Sequence, residues 1–84
     1  MIFLPPTKMQ RKVERFIHKF RRANDGVSPT YAEIAEGMRE EEGKKMDVRN
    51  AYHYVTGLVE RGRATRTRNQ RSIQLLTTEE GGRA

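Results

Sequence analysis

Cysteine is absent from the 84-residue chain, and aromatic residues make up only 7% of it. Without cysteine the protein can hold neither a disulfide framework nor a thiolate metal site, and nothing indicates its redox compartment. Hydrophobic residues are 35% and charged residues 33% of the chain, a balance typical of a small, soluble, mostly helical domain. A chain of this length builds one small core and no second one.

Long apolar runs are also absent. The opening MIFLPP places four apolar residues, read as a short strand or apolar flap, before two prolines. A signal peptide needs an apolar region of about 7 to 15 residues, and a membrane span needs ~20. We therefore expect no membrane association and a cytoplasmic location.

The residue patterns of catalysis and metal binding are lacking as well. His18 and His53 fall in different predicted helices, with no paired carboxylates at ligand spacing. No glycine-rich phosphate loop occurs, and Ser28 and Ser72 have no adjacent base. We expect a protein that is not an enzyme and has no metal site and no cofactor.

Positive charge is abundant and clustered. The net charge is +6, and residues 48–76 hold six arginines against a single acid, Glu60. A clustered excess of this kind favours a polyanionic partner, nucleic acid before membrane.

Two helices are predicted in the first half of the chain. Apolar residues recur at helical spacing over residues 8–22, after a capping box of Thr7 and Gln10. A second capping box, Thr30 with Glu33, opens the next helix. The charged segment 39–45, REEEGKK, extends that helix through its glutamates until Gly43 ends it.

The third helix, residues 47–61, is the element around which the chain is organised. Asp47 caps it, and stepping 100° per residue separates an inner from an outer arc. The inner arc is predicted to be core and contains Val48, Ala51, Tyr52, Val55, Leu58 and Val59. The outer arc contains Arg49, Asn50, His53 and Gly57. Donors and acceptors on such a face suit the major groove of DNA.

A hairpin follows the third helix. Residues 63–67 and 72–76 read as two strands around a turn at 68–71, with Ile73 and Leu75 pointing inward. Residues 1–76 then form one domain, and residues 77–84 a polar tail. The predicted fold is mainly α with a small β-hairpin, a three-helix winged helix-turn-helix.

Two segments resemble the DNA-binding domain of the LexA repressor family. They are GVSPTYAEIAEGM at residues 26–38 and GLVERGRATRTRNQRSIQLL at residues 57–76. The resemblance runs from about residue 4 to residue 76 and implies operator binding by a bacterial or phage transcriptional regulator. The chain departs from the family in a longer, acidic connection at residues 39–46. Because it ends in GGRA without the family's peptidase domain, we expect neither autoproteolysis nor the family's dimerisation.

The predicted base-reading residues are Arg49, Asn50 and His53. Arg49 suits a guanine edge and Asn50 an adenine edge, each pair discriminating by about 1 to 3 kcal/mol. Tyr52 is interpreted as the edge of the core. Gly57 permits close approach of either a neighbouring helix or DNA.

Backbone contacts are expected from the wing and from the start of the second helix. The wing arginines have no acid among them, which is costly unless a polyanion relieves the repulsion, and Arg68 and Arg71 are the best individual candidates. Thr30 is equally well explained as a cap alone. The predicted backbone or wing contacts are Ser28, Thr30, Tyr31, Lys45, Tyr54, Arg63, Arg66, Arg68 and Arg71.

The sequence thus predicts a regulator that binds double-stranded DNA specifically, most simply as a repressor associated with the nucleoid. RNA polymerase or a second copy on DNA are the further partners, and we expect a monomer in solution. Two alternatives remain open. One is a protein-interaction adaptor for the transcription machinery that uses the REEEGKK segment, and the other is an RNA-binding winged helix.

Overall fold

Three helices and a two-stranded antiparallel hairpin make up the computed structural model, which describes residues 6–43 and 46–77. The helices are α1 (Lys8–Ala23), α2 (Tyr31–Glu42) and α3 (Val48–Glu60), and the strands are β1 (Ala64–Thr65) and β2 (Gln74–Leu75). The predicted fold class, a three-helix winged helix-turn-helix, is confirmed. The apolar flap predicted at residues 1–4 lies outside the described residues.

Local capping explains where the first two helices begin. The hydroxyl of Thr7 accepts a hydrogen bond from Gln10 N (3.2 Å), and the Gln10 side chain accepts one from Thr7 N (3.0 Å). Thr30 and Glu33 form the same reciprocal pair at the start of α2. α2 ends where Gly43 adopts a left-handed φ of 67° and donates to Arg39 O. The predicted helix extension through the glutamates is confirmed.

The acidic end of α2 is fastened to α1. Lys12 Nζ lies 2.7 Å from Glu42 Oε1, and Lys19 Nζ lies 3.1 Å from Glu41 Oε2. The long connection between α2 and α3 therefore begins as an extra helical turn held against the first helix.

All three helices contribute to one core. Its largest fully buried apolar side chains are Ile17, Ile34, Met38, Leu58, Val13 and Val55. α1 crosses α2 closely because Gly37 has no side chain: a Cβ there would lie 2.2 Å from the ring of Phe16.

The buried side of α3 differs from the predicted inner arc. Ala51, Val55 and Leu58 are fully buried, but Val48 and Tyr52 are 50% and 45% exposed, so their assignment to the core was wrong. The buried face is rotated by roughly 60° on the helical wheel, towards Gly57.

Gly57 lies on the side of α3 that faces α1. It is buried, and a Cβ on it would lie 2.1 Å from Gln10 Nε2, so the glycine lets α1 come close. Of the two predicted alternatives, a neighbouring helix or DNA, the structure shows the neighbouring helix α1 close to Gly57.

The hairpin is shorter than predicted, with only two residue pairs, Ala64 opposite Leu75 and Thr65 opposite Gln74. Beyond them the loop is closed by side chains: Thr67 N donates to Ser72 Oγ (2.9 Å), which donates to Thr67 O (3.1 Å). Ile73 is buried as predicted, and Leu75 is half-buried. We call residues 66–73, which protrude beyond the strands, the wing loop.

No helix in residues 6–43 or 46–77 is long and apolar enough to cross a membrane.

Candidate nucleic-acid interface

The first half of α3 presents the three predicted base-reading residues to solvent. Arg49, Asn50 and His53 are all exposed. No hydrogen bond or ion pair engages Arg49 in the part of the chain that the structure describes. Its five N–H donors are therefore open to an external acceptor.

Asn50 has a second role at the start of α3. Asn50 N donates to Asp47 Oδ1 (2.8 Å), while Asn50 Oδ1 accepts a long hydrogen bond from Asp47 N (3.5 Å). The amide nitrogen Nδ2 makes no hydrogen bond within the described residues. A bidentate contact with adenine would thus exchange only the weaker of the two capping bonds.

Tyr52 lies at the centre of a cluster that the sequence reasoning missed. Its ring and the Tyr31 ring pack in a T-shaped arrangement at 5.4 Å between centroids, and its ring lies 5.8 Å from that of His53. The Arg66 guanidinium carbon lies 4.5 Å from the Tyr52 ring centroid. Arg66 Nη1 also donates to the Tyr31 hydroxyl at 3.1 Å. We call Tyr31, Tyr52 and Arg66 the aromatic platform.

Two of the four wing arginines are paired with carboxylates of the protein itself. Arg63 Nε and Nη2 each lie 3.1 Å from Glu14 Oε1, and the Glu14 side chain is only 6% exposed. Arg71 donates from both terminal nitrogens to the two carboxylate oxygens of Glu33, each at 2.9 Å. The premise that no acid relieves the wing was wrong for these two, because the acids come from α1 and α2.

The Glu33–Arg71 pair also affects titration. The hydrogen bond from Arg71, followed by the bond from the Thr30 backbone, lowers the pKa of Glu33. The bond to Glu33 raises the pKa of Arg71. Arg71 Nη1 further donates to Ser28 O at 3.1 Å, and the backbone of Arg71 is left-handed, with φ of 60°. Arg71 therefore clips the end of the wing loop onto the start of α2.

Arg66 and Arg68 carry charge that no carboxylate in the described residues balances. Among the described residues, Arg66 makes its hydrogen bond with Tyr31 and its cation–π contact with Tyr52, both neutral side chains. Arg68 is exposed at the wing tip and makes no hydrogen bond or ion pair within the described residues. Together with Arg49, they place three uncompensated arginines on α3 and the wing.

The start of α2 offers less than predicted. Ser28 is buried, and its hydroxyl donates to Ile73 O, so its assignment as a phosphate donor was wrong. Thr30 is confirmed as a cap, which leaves its phosphate contact a prediction. The Tyr31 hydroxyl accepts from Arg66 and keeps its own proton to donate.

Two predicted backbone contacts stand apart. Tyr54 is half-buried and packs against the core, unlike its exposed neighbour His53. Lys45 lies outside the described residues. Both contacts stay predictions.

A groove joins the elements of this interface on one side of the molecule. Its volume is about 540 Å³, and it lies between the start of α2 (residues 29–32), Val48 at the start of α3, and residues 67–73 of the wing loop. Arg68 and Arg71 both line it. The first turn of α3 and the wing tip thus border the same opening.

The two histidines lie in different surroundings. His18 is half-buried, and burial is the main cause that lowers its pKa, against the opposing effect of Glu14. His53 is exposed on α3. Within residues 6–43 and 46–77, no three His, Asp or Glu side chains are grouped so as to hold a metal ion.

No protein-family model, no curated protein and no solved structure matches this chain. The geometry of the described residues is therefore what supports a function.

Proposed function

We propose that this protein binds double-stranded DNA sequence-specifically and acts as a transcriptional regulator, with the exposed face of α3 in the major groove. The observation that carries the proposal is a group of three arginines beside the exposed face of α3, none of which has a carboxylate partner in the described residues. Lys12, Lys19, Arg63 and Arg71 pair with carboxylates of the protein itself. Arg49, Arg66 and Arg68 do not, and they flank an exposed recognition face.

Each part of the interface has its own task in this proposal. Arg49, Asn50 and His53 contact base edges, where a good bidentate pair discriminates by about 1 to 3 kcal/mol. Arg68 contacts a phosphate or enters the minor groove at the wing tip. The winged fold and the resemblance of residues 26–38 and 57–76 to the LexA family favour the same task.

Regulation would follow from occupancy of a promoter. A single winged helix buries little surface on DNA, so a second copy bound to an adjacent half-site would raise the occupancy. Repression by occlusion needs no further partner, whereas activation would need a contact with RNA polymerase.

Selection from a random duplex pool, followed by footprinting, tests the proposal. We expect enrichment of a defined sequence, with a footprint whose width gives the number of bound copies. Arg49→Ala should relax the choice at one position; it is a cleaner probe than a change of Asn50, which also caps α3. Failure to enrich any sequence would contradict specific DNA binding.

Salt dependence locates the backbone contacts. The logarithm of the binding constant falls with the logarithm of salt concentration by about 0.9 for each phosphate neutralised. Arg68→Ala should therefore lower the slope by about 0.9 on every duplex. Lys19→Ala is the matched control, because it removes one charge from the outer face of α1, 65% exposed and paired with Glu41. An equal effect of both changes would place the DNA elsewhere.

The two alternatives predict other results. An adaptor that binds through the acidic segment would have to release Glu41 and Glu42 from α1, and should lose its partner when these residues are replaced. An RNA-binding winged helix should prefer duplex RNA over duplex DNA in competition at fixed salt.

A further inference from the structure

Arg66 contacts side chains of two helices. It follows β1 directly, yet its guanidinium lies over the Tyr52 ring of α3 at 4.5 Å and donates to the Tyr31 hydroxyl of α2 at 3.1 Å. The Tyr31 and Tyr52 rings pack against each other with an interplanar angle of 67°. A wing residue is thereby placed against the recognition helix.

This pose leaves most of the guanidinium's bonding capacity unused. The group has five N–H donors in a rigid plane, and Tyr31 accepts from one terminal nitrogen. The contact with the Tyr52 ring is a cation–π contact and uses no hydrogen-bond acceptor, so it satisfies none of the other donors. Since no carboxylate of the described residues contacts Arg66, its remaining donors are not satisfied by an internal ion pair.

The location of the platform favours a base over a phosphate. Tyr52 is 45% exposed and is the chain neighbour of His53, whose ring lies 5.8 Å away on the exposed face of α3. Arg66 therefore lies beside the residues that face the major groove, whereas Arg68 is at the wing tip. An arginine fork held in a plane matches the O6 and N7 acceptors of guanine.

We propose that Arg66 is a specificity-determining residue that donates bidentately to a guanine in the major groove, with Tyr52 and Tyr31 as positioning residues that hold its plane. This inference rests on the proposed binding of double-stranded DNA. It assigns Arg66 to base reading instead of the backbone contact predicted from the sequence.

The test compares sequence preference between variants of the full chain. Arg66→Lys keeps the charge but loses the planar fork. We expect it to lose about tenfold of the preference for one guanine, at about 1.4 kcal/mol per factor of ten. Replacing that guanine by 7-deazaguanine removes the N7 acceptor, and should weaken binding by the wild type several-fold more than binding by Arg66→Lys.

The tyrosines supply matched controls. Tyr52→Phe keeps the ring and should keep the guanine preference, whereas Tyr52→Leu should lose it. If Tyr52 acts through Arg66, the double variant Tyr52→Leu, Arg66→Lys should be no less selective than Arg66→Lys alone. Circular dichroism melting checks that Tyr52→Leu is folded. If it is not, the 7-deazaguanine comparison between the wild type and Arg66→Lys still tests the role of Arg66.

Two results would overturn the inference in distinguishable ways. If the wild type selects a sequence and Arg66→Lys selects the same one equally well, Arg66 is a phosphate contact or a structural clip, and DNA binding stands. If the wild type selects no duplex, both the inference and the proposed function fail.

Discussion

Replacing Arg63 tests the finding that half of the wing arginines serve the fold. The Arg63 guanidinium meets Glu14 at 3.1 Å from two nitrogens, and the Glu14 side chain is 6% exposed against 31% for Arg63. In Arg63→Met the buried carboxylate would keep only the hydroxyl of Thr77 as a described side-chain donor.

The expected magnitude follows from this burial. Breaking a buried pair on one side costs about 3 to 5 kcal/mol, while an exposed pair contributes about 0 to 1 kcal/mol. Because Arg63 is about a third exposed, water partly replaces it, and we expect a loss of about 3 kcal/mol. That loss reduces the folding equilibrium constant more than a hundredfold.

Urea unfolding followed by circular dichroism measures the loss. Arg68→Met removes a wing arginine without a described partner and should stay within about 0.5 kcal/mol of the wild type. Adding Glu14→Gln to Arg63→Met removes the stranded charge and should recover most of the stability. If Arg63→Met and Arg68→Met unfold alike, the pair does not stabilise the fold, and Arg63 returns to the candidates for DNA contact.

Three further predictions concern packing and pH. Gly37→Ala should lower the unfolding free energy by about 1 kcal/mol, because the added Cβ meets the Phe16 ring. In a Phe16→Ala background this clash is absent, and the higher helix propensity of alanine should raise the unfolding free energy by about 1 kcal/mol. Burial lowers the pKa of His18, so the folded protein favours the neutral imidazole. The unfolding free energy should therefore be highest above about pH 6.5 and should fall as the pH falls through the folded pKa of His18. His18→Gln should flatten the plot of unfolding free energy against pH in that range. The pKa of Glu33 is also lowered, so its pairing with Arg71 should be lost as the pH falls below about 4.5. Glu33→Gln can still complete the capping box of α2. It should therefore reduce the loss of unfolding free energy in acid, measured by urea unfolding. If His18→Gln and Glu33→Gln showed the same dependence of unfolding free energy on pH as the wild type, these two pKa effects would not contribute to stability. An equal effect of Gly37→Ala in both backgrounds would contradict the contact with Phe16.

The helices were predictable because their signals are local. A capping box, formed by two residues three positions apart such as Thr30 and Glu33, marks where a helix starts. A glycine such as Gly43 marks where it stops. The order of three helices and a hairpin follows from these signals and the apolar spacing.

The pairing of the wing was not predictable from local signals. Glu14 and Arg63 are 49 residues apart, and Glu33 and Arg71 are 38 apart, so only the folded chain brings them together. One signal was present: Glu14 lies between Val13 and Ile17 on the inner side of α1, where a carboxylate requires a partner.

The exposure of Tyr52 was missed for a related reason. Helical spacing defines which residues share a face but leaves open which part of a broad apolar arc is covered. In the folded protein the side of α3 that carries Gly57 lies against Gln10 of α1, and Tyr52 is exposed and contacts Tyr31 and Arg66.

The central claim is that duplex DNA sits on the exposed half of α3 and on the wing, and amide chemical shifts of the labelled chain test it most directly. During titration with a duplex enriched by selection, we predict that the largest shifts occur in residues 48–54 and 66–70. Amides on the outer face of α1, around Lys19, should move little. Shifts concentrated on α1 or on the acidic end of α2 would contradict the proposed interface.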